Sequence, residues 1–163
     1  MTKFCKLRVI RAALAAAILV GFSGAGAAQS IDFGLTSDLE SGDAGLIAEY
    51  HAVPFFQRGA FSFGWGVAGR IDADGDAWVG VGVVGDLDIT NGIFAEVSFM
   101  PGIYNPDETI LGGNLQFRSL IGLGARISDS ADLILSVDHI SNGDTNPFNP
   151  GMNSASLRVR TRF

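Results

Sequence analysis

Residues 61–70 read FSFGWGVAGR. Phe61, Phe63, Trp65 and Val67 fall on one parity, and Ser62, Gly64, Gly66, Ala68 and Arg70 on the other. Successive side chains of a strand point to opposite faces, so this stretch is a strand with a large apolar face and a small or charged face. A soluble sandwich would bury the first face and wet the second. Glycine and a single arginine suit a crowded interior better than a wetted surface. Three aromatic rings and a valine suit an apolar solvent.

Seven further runs repeat the pattern, around residues 31–35, 46–52, 77–83, 93–99, 115–127, 133–137 and 157–163. Their apolar parity carries Leu35, Val81, Phe99, Ile121, Leu135 and Val159, among others. The opposite parity carries Glu49, Glu96, Arg118, Arg126, Asp138, Arg158, Arg160 and Arg162. This predicts an all-β fold, an eight-stranded antiparallel transmembrane β-barrel with lipid outside and a polar, side-chain-filled interior. Closure satisfies every strand edge, which a lipid environment demands. An unpaired interior charge is costly, so Glu49 and Glu96 are expected to pair with arginines. Trp65, Trp78, Tyr50 and Tyr104 are expected in the interfacial aromatic belts.

The first 28 residues stand apart. Lys3, Lys6, Arg8 and Arg11 precede a short apolar run and the small residues Ala25, Gly26, Ala27 and Ala28. This is the pattern of a cleaved secretory signal peptide over residues 1–28, leaving residues 29–163 as the barrel domain. The run is too short to span a bilayer as a helix, which takes roughly 20 residues. The only cysteine, Cys5, leaves with the leader. Of the chain's 11 basic residues seven remain, all arginine, against 17 acids, a net charge of −10. An acidic exported chain with no basic patch implies no nucleic-acid partner, and no thiolate is left to hold a metal. The run DADGDA, residues 72–77, opens like a calcium loop but has Ala77 at the sixth position and Val83 at the twelfth. It reads as a solvated turn. His51 has no partner at ligand spacing and reads as structural.

The last 26 residues, DHISNGDTNPFNPGMNSASLRVRTRF, carry the chemistry. His139 and Ser141 share the parity of Leu133, Leu135 and Val137, and Asn153 shares that of Leu157, Val159 and Phe163. All three polar groups therefore face outward beside the last loop. Polar groups at membrane depth are expensive and usually functional. Serine near histidine has the logic of a nucleophile and its base, with a third group orienting the ring. Asn142 and Asn149 offer amide donors to an oxyanion. Asp144 is the nearest loop acid, and Asp138 has inward parity.

HISN, then NPGMNS, then a strand ending in phenylalanine resembles the lipid A 3-O-deacylase family, acyloxyacyl hydrolase-like outer-membrane barrels. The resemblance implies that His139 is the general base and Ser141 the nucleophile, with Asn142 and Asn149 at the oxyanion. It implies ester hydrolysis of the 3-O-linked hydroxyacyl chain of lipid A, the lipid anchor of lipopolysaccharide, near the outer leaflet of the bacterial outer membrane, with no cofactor and no metal. The family's acid position falls on Asn153, which can orient an imidazole but carries no charge. The alternative is a non-catalytic small barrel with a structural or adhesion role. A homodimer through the lipid face stays open.

Overall fold

The computed structural model describes residues 29–163, so the leader over residues 1–28 lies outside the described residues. The described chain is all strand and loop: β1 (Ser30–Asp38), β2 (Ala44–His51), β3 (Phe56–Arg58), β4 (Phe61–Asp72), β5 (Ala77–Asp88), β6 (Ile93–Asn105), β7 (Leu115–Arg126), β8 (Ala131–Ser141) and β9 (Met152–Arg162). Each long strand pairs antiparallel with its neighbours, β1 pairs with β9, and β2 pairs with β4. Eight long strands thus close an antiparallel barrel. The three-residue β3 lies outside the closed ring and pairs only with the start of β4. Residues 52–55 lead from β2 into β3, and the tight turn at residues 59–60 carries β3 into β4.

Both ends of the described chain lie at one end of the barrel, where Ser30 pairs with Arg162 and the Phe163 N–H donates to the Gln29 carbonyl at 3.0 Å. The opposite end carries the connections over residues 39–43, 73–76, 106–114 and 142–151.

The outer wall follows the parity. Phe33, Leu35, Trp65, Val81, Phe99, Ile121, Leu135 and Leu157 are all exposed. A protein with this wall in water would have a continuous apolar surface far larger than soluble monomers show. Lipid is the solvent that suits it.

The interior is filled by ion pairs and apolar side chains. Toward the terminal end, charges pair: Arg118 with Glu49 at 2.8 Å, Arg158 with Asp32 at 3.0 Å, and Arg160 with Asp32 at 2.8 Å and with Glu96. Arg158 also bridges Glu49 at 3.1 Å and reaches Glu96. The expected partners of Glu49 and Glu96 are thus in place. His51 is buried against Glu49 at 3.2 Å. Toward the loop end, Arg70 pairs with Asp72 at 2.8 Å and Arg118 with Asp138 at 3.3 Å, beside an apolar cluster of Trp78, Val84, Met100, Tyr104, Leu111, Ile140 and Met152.

Two of the four expected belt aromatics therefore belong to the core. Trp78 and Tyr104 are 2% and 1% exposed. Trp78 lies on the inward parity of β5, and its ring fills space that Gly80 and Gly102 leave open. A Cβ on either glycine would come within 2.3 Å and 2.6 Å of the indole. Tyr104 turns in to donate its hydroxyl to the Thr109 carbonyl at 2.9 Å.

The DADGDA turn also differs from its expected solvated state. Asp76 is buried and accepts the N–H groups of Asp107 at 2.5 Å, Glu108 at 3.1 Å and Thr109 at 3.0 Å. Burial works to raise its pKa, but the hydrogen bonds from the 106–114 loop outweigh it and hold the carboxyl below the usual range.

Candidate active site

β8 ends Asp138-His139-Ile140-Ser141. Alternation sends Asp138 inward to Arg118 at 3.3 Å and Ile140 into the apolar cluster. His139 and Ser141 point out, His139 exposed and Ser141 half-buried. Two residues of strand separate their backbones by about 6.8 Å.

The β8–β9 register sets His139 directly opposite Asn153. The ring Nδ1 and the Asn153 Oδ1 are 2.8 Å apart. Nε2 therefore remains for another partner. Ser141 makes no side-chain hydrogen bond to any described residue, and its hydroxyl is not bonded to Nε2 in this structure. Such contacts are often made only once substrate is bound. The ring is confined from the loop side by Gly151, whose φ is +71° and whose added Cβ would lie 2.7 Å from His139 Cε1.

The loop of residues 142–151 is built on its asparagines. Asn142 continues the alternation inward and is fully buried. Its amide donates to the carbonyls of Leu111 at 3.2 Å, Gly112 at 3.0 Å and Phe148 at 2.8 Å. The structure thus places the Asn142 side chain away from His139 and Ser141, as a clamp between two loops. Only its backbone N–H belongs to the outer side, where it donates to Asn149 Oδ1 at 3.1 Å. Asn149 Nδ2 in turn donates to Asp144 Oδ1 at 2.9 Å. Asp144 is therefore a partner of Asn149 and not of His139.

One residue near the site had no signal in the sequence. Glu40, in the β1–β2 connection, accepts from Asn153 Nδ2 at 2.8 Å. It lies 113 residues from Asn153 along the chain, in a polar loop with nothing to distinguish it. Only closure of β1 onto β9 brings the two together.

No metal or cofactor is needed for hydrolysis by such a set of groups. Asp32, His51 and Glu96 have ligand atoms within 4.8 Å of one another, but the two carboxylates are already paired with Arg158 and Arg160 inside the barrel.

Known proteins share this fold. The barrel is similar to the crystal structure of the outer membrane enzyme PagL, with a TM-score of 0.64 and 18% identity over 83% of this chain and 99% of that one. It is also similar to a de novo designed transmembrane β-barrel, with a TM-score of 0.62 and 6% identity over 86% of this chain and 98% of that one. The Yersinia pestis outer membrane protein Ail follows, with a TM-score of 0.54 and 12% identity over 85% and 100% of the two chains. At these identities the likeness shows the fold alone. No protein with a curated description matches the sequence. The family model described as Lipid A 3-O-deacylase (PagL) matches residues 44–162, a span that runs from β2 through β9 and contains His139, Ser141 and Asn153. The chain belongs to the lipid A 3-O-deacylase family, carboxylic ester hydrolases of the bacterial outer membrane.

Proposed function

We propose that this protein removes the 3-O-linked hydroxyacyl chain of lipid A, with Ser141 as nucleophile and His139 as base on the lipid-facing wall. The observation that carries the assignment is the outward pairing of His139 with Asn153 inside the family span. An imidazole and a hydroxyl on the outside of a barrel serve no packing need. They are where an esterase whose substrate is itself a membrane lipid needs them.

Ser141 Oγ attacks the ester carbonyl carbon as its proton passes to His139 Nε2. The carbonyl oxygen becomes an oxyanion. The Asn149 amide, which must exchange its bond to Asp144, is the proposed donor to it. Collapse breaks the bond between the acyl carbon and the sugar 3-oxygen, and the imidazolium returns its proton to that oxygen. Water then attacks the acyl-serine with His139 again as base, releasing the hydroxy fatty acid and restoring Ser141.

The stacked rings of Phe99 and Phe117, 6.0 Å apart, extend beside Ser141, which pairs with Phe117 in the sheet. They offer an apolar surface to the departing chain. Topology supports a position along the membrane normal. Outer-membrane barrels have short periplasmic turns and longer external loops. The site sits at the end that carries the loops over residues 106–114 and 142–151, opposite the termini. This supports a site near the outer leaflet headgroups, where the lipid A esters lie.

The test is expression of the chain and of Ser141→Ala in a lipopolysaccharide-bearing outer membrane, followed by mass spectrometry of lipid A. The wild type is expected to shift lipid A down by one hydroxyacyl chain, and the variant to leave it intact. Intact lipid A with a folded wild-type barrel, or equal deacylation by the variant, overturns the assignment of Ser141.

A further inference from the structure

We infer that Glu40 is a positioning residue for His139, acting through Asn153 to set both the tautomer and the electrostatics of the base. The inference rests on the proposed role of His139 and concerns a residue outside the span of the family match, which starts at residue 44.

A neutral amide at the third position of a triad has a specific defect. Its two ends are nearly the same shape, and either can face the histidine. If the NH2 faces Nδ1, Nδ1 must accept, the proton moves to Nε2, and the base is lost. In serine proteases the exchange of the triad acid for its amide costs about 10⁴ in kcat for this reason.

Glu40 removes the ambiguity. Its carboxylate, when ionised, only accepts hydrogen bonds. The Asn153 group 2.8 Å from Glu40 Oε1 must then be the NH2. Asn153 Oδ1 is left to face His139 Nδ1 at 2.8 Å. An amide oxygen also only accepts, so Nδ1 carries the proton and Nε2 keeps its lone pair toward Ser141. No proton passes through the amide. The carboxylate charge of Glu40 polarises the Asn153 amide and stabilises the imidazolium when His139 holds the serine proton.

Glu40 is held in place by its own backbone and by Asn153. Asp38 Oδ1 accepts the N–H groups of Glu40 at 2.7 Å and Ser41 at 2.6 Å, which fixes the turn. The Leu39 N–H donates to the Asn153 carbonyl at 2.8 Å, docking the same turn on β9 at the residue that Glu40 contacts. No other charged group takes this place. Asp144 is engaged with Asn149, while Asp138 on β8 and Arg118 on β7 pair with each other in the interior. On β7 the residue opposite His139 is Ser119, and on β9 it is Asn153, both neutral.

The experiment compares wild type, Glu40→Gln, Asn153→Glu and the double variant, each refolded in detergent, for lipid A deacylation across pH and by ¹⁵N NMR of the imidazoles. The chain has two histidines, so His51→Asn assigns the signals. Glutamine can donate or accept, so Glu40→Gln leaves neither the amide nor the tautomer locked. We expect kcat and kcat/KM to fall together by about tenfold with KM unchanged, as when an interaction made only in the transition state is lost. Loss of the carboxylate also destabilises the imidazolium, so the acid limb of kcat/KM moves to lower pH. In wild type the NMR signals show Nδ1–H at His139, and in Glu40→Gln a mixture of tautomers. In the Asn153→Glu background a carboxylate meets Nδ1 directly, and Glu40→Gln no longer lowers the rate. A Glu40→Gln variant with wild-type rate, acid limb and tautomer overturns the inference. A wild-type tautomer that depends on Glu40, in a protein where Ser141→Ala still deacylates, sustains it while the assignment of Ser141 fails.

Discussion

His139 is the residue on which most of the site's geometry converges, and Gly151 limits where its ring can go. Replacing Gly151 by alanine puts a Cβ 2.7 Å from the ring carbon at a residue whose φ is +71°. The ring must turn, and the 2.8 Å bond to Asn153 is the contact it loses. Misplacement of a catalytic group by about 1 Å costs on the order of 10²-fold in rate. Gly151→Ala is therefore expected to lower deacylation by about that factor while the barrel still shows heat-modifiable migration on gels. At this scale the sequence was informative for residues on strands. Parity alone put His139, Ser141 and Asn153 on one outer face, because each sits within a run of alternating apolar residues. It was silent on Glu40, since a loop has no period and the contact spans 113 residues. Asn142 shows a second limit. Its position beside Ser141 suggested an oxyanion donor, but the alternation that sends Ser141 out sends Asn142 in, where three carbonyls take up its amide.

The elements around the site are connected by loops that hold one another. Asp76, in the β4–β5 turn, ties down the loop that follows β6 by three backbone N–H groups. Asn142 ties that loop to the next, through Leu111 and Gly112. Asp76→Asn removes the charge from these bonds and is expected to destabilise the loop by about 1–3 kcal/mol, read as faster proteolysis within residues 106–114 of the refolded barrel. The pH dependence has a definite sign. The carboxyl is held below its usual pKa by the folded loop, so it contributes stability above the unfolded value. That contribution is lost as pH falls through the folded value, and protection of the loop in the wild type should decline on acidification. Strands β1 and β2 and β4 to β9 were legible because period-two patterning survives without any knowledge of neighbours. The short β3 was not, since Phe56, Gln57 and Arg58 carry no alternation that separates them from a turn. Trp78 shows how composition can mislead where parity does not. It was expected at the membrane interface because tryptophan often lies there, yet its neighbours Ala77 and Val79 are on the apolar parity and Trp78 is on the other.

For the molecule as a whole, the solvent is reversed on the outside, and the inside is filled by ion pairs and an apolar cluster. Leu135 stands mid-strand on β8 and is 63% exposed, so an arginine there would face hydrocarbon. Leu135→Arg is expected to cost about 2–4 kcal/mol, measured by urea unfolding in lipid vesicles. The same substitution on a water-facing strand would cost almost nothing. The interior could be anticipated only in part. The charges on the inward parity implied pairing, which the Arg158 and Arg160 network bears out. The apolar cluster under the loops was missed, because Ile140, Met152 and Met100 alternate with polar or apolar partners alike and their layer becomes visible only when the barrel closes. That closure has one more consequence. With His139 and Asn153 on the outer wall, the proposed reaction has substrate reach them by sliding within the leaflet and not through the filled barrel. Encounter then takes place in two dimensions, and the concentration that matters is the mole fraction of lipid A around the protein. In mixed micelles at constant bulk lipid A, adding inert detergent should slow deacylation by surface dilution, whereas enlarging the water volume around the same micelles should not.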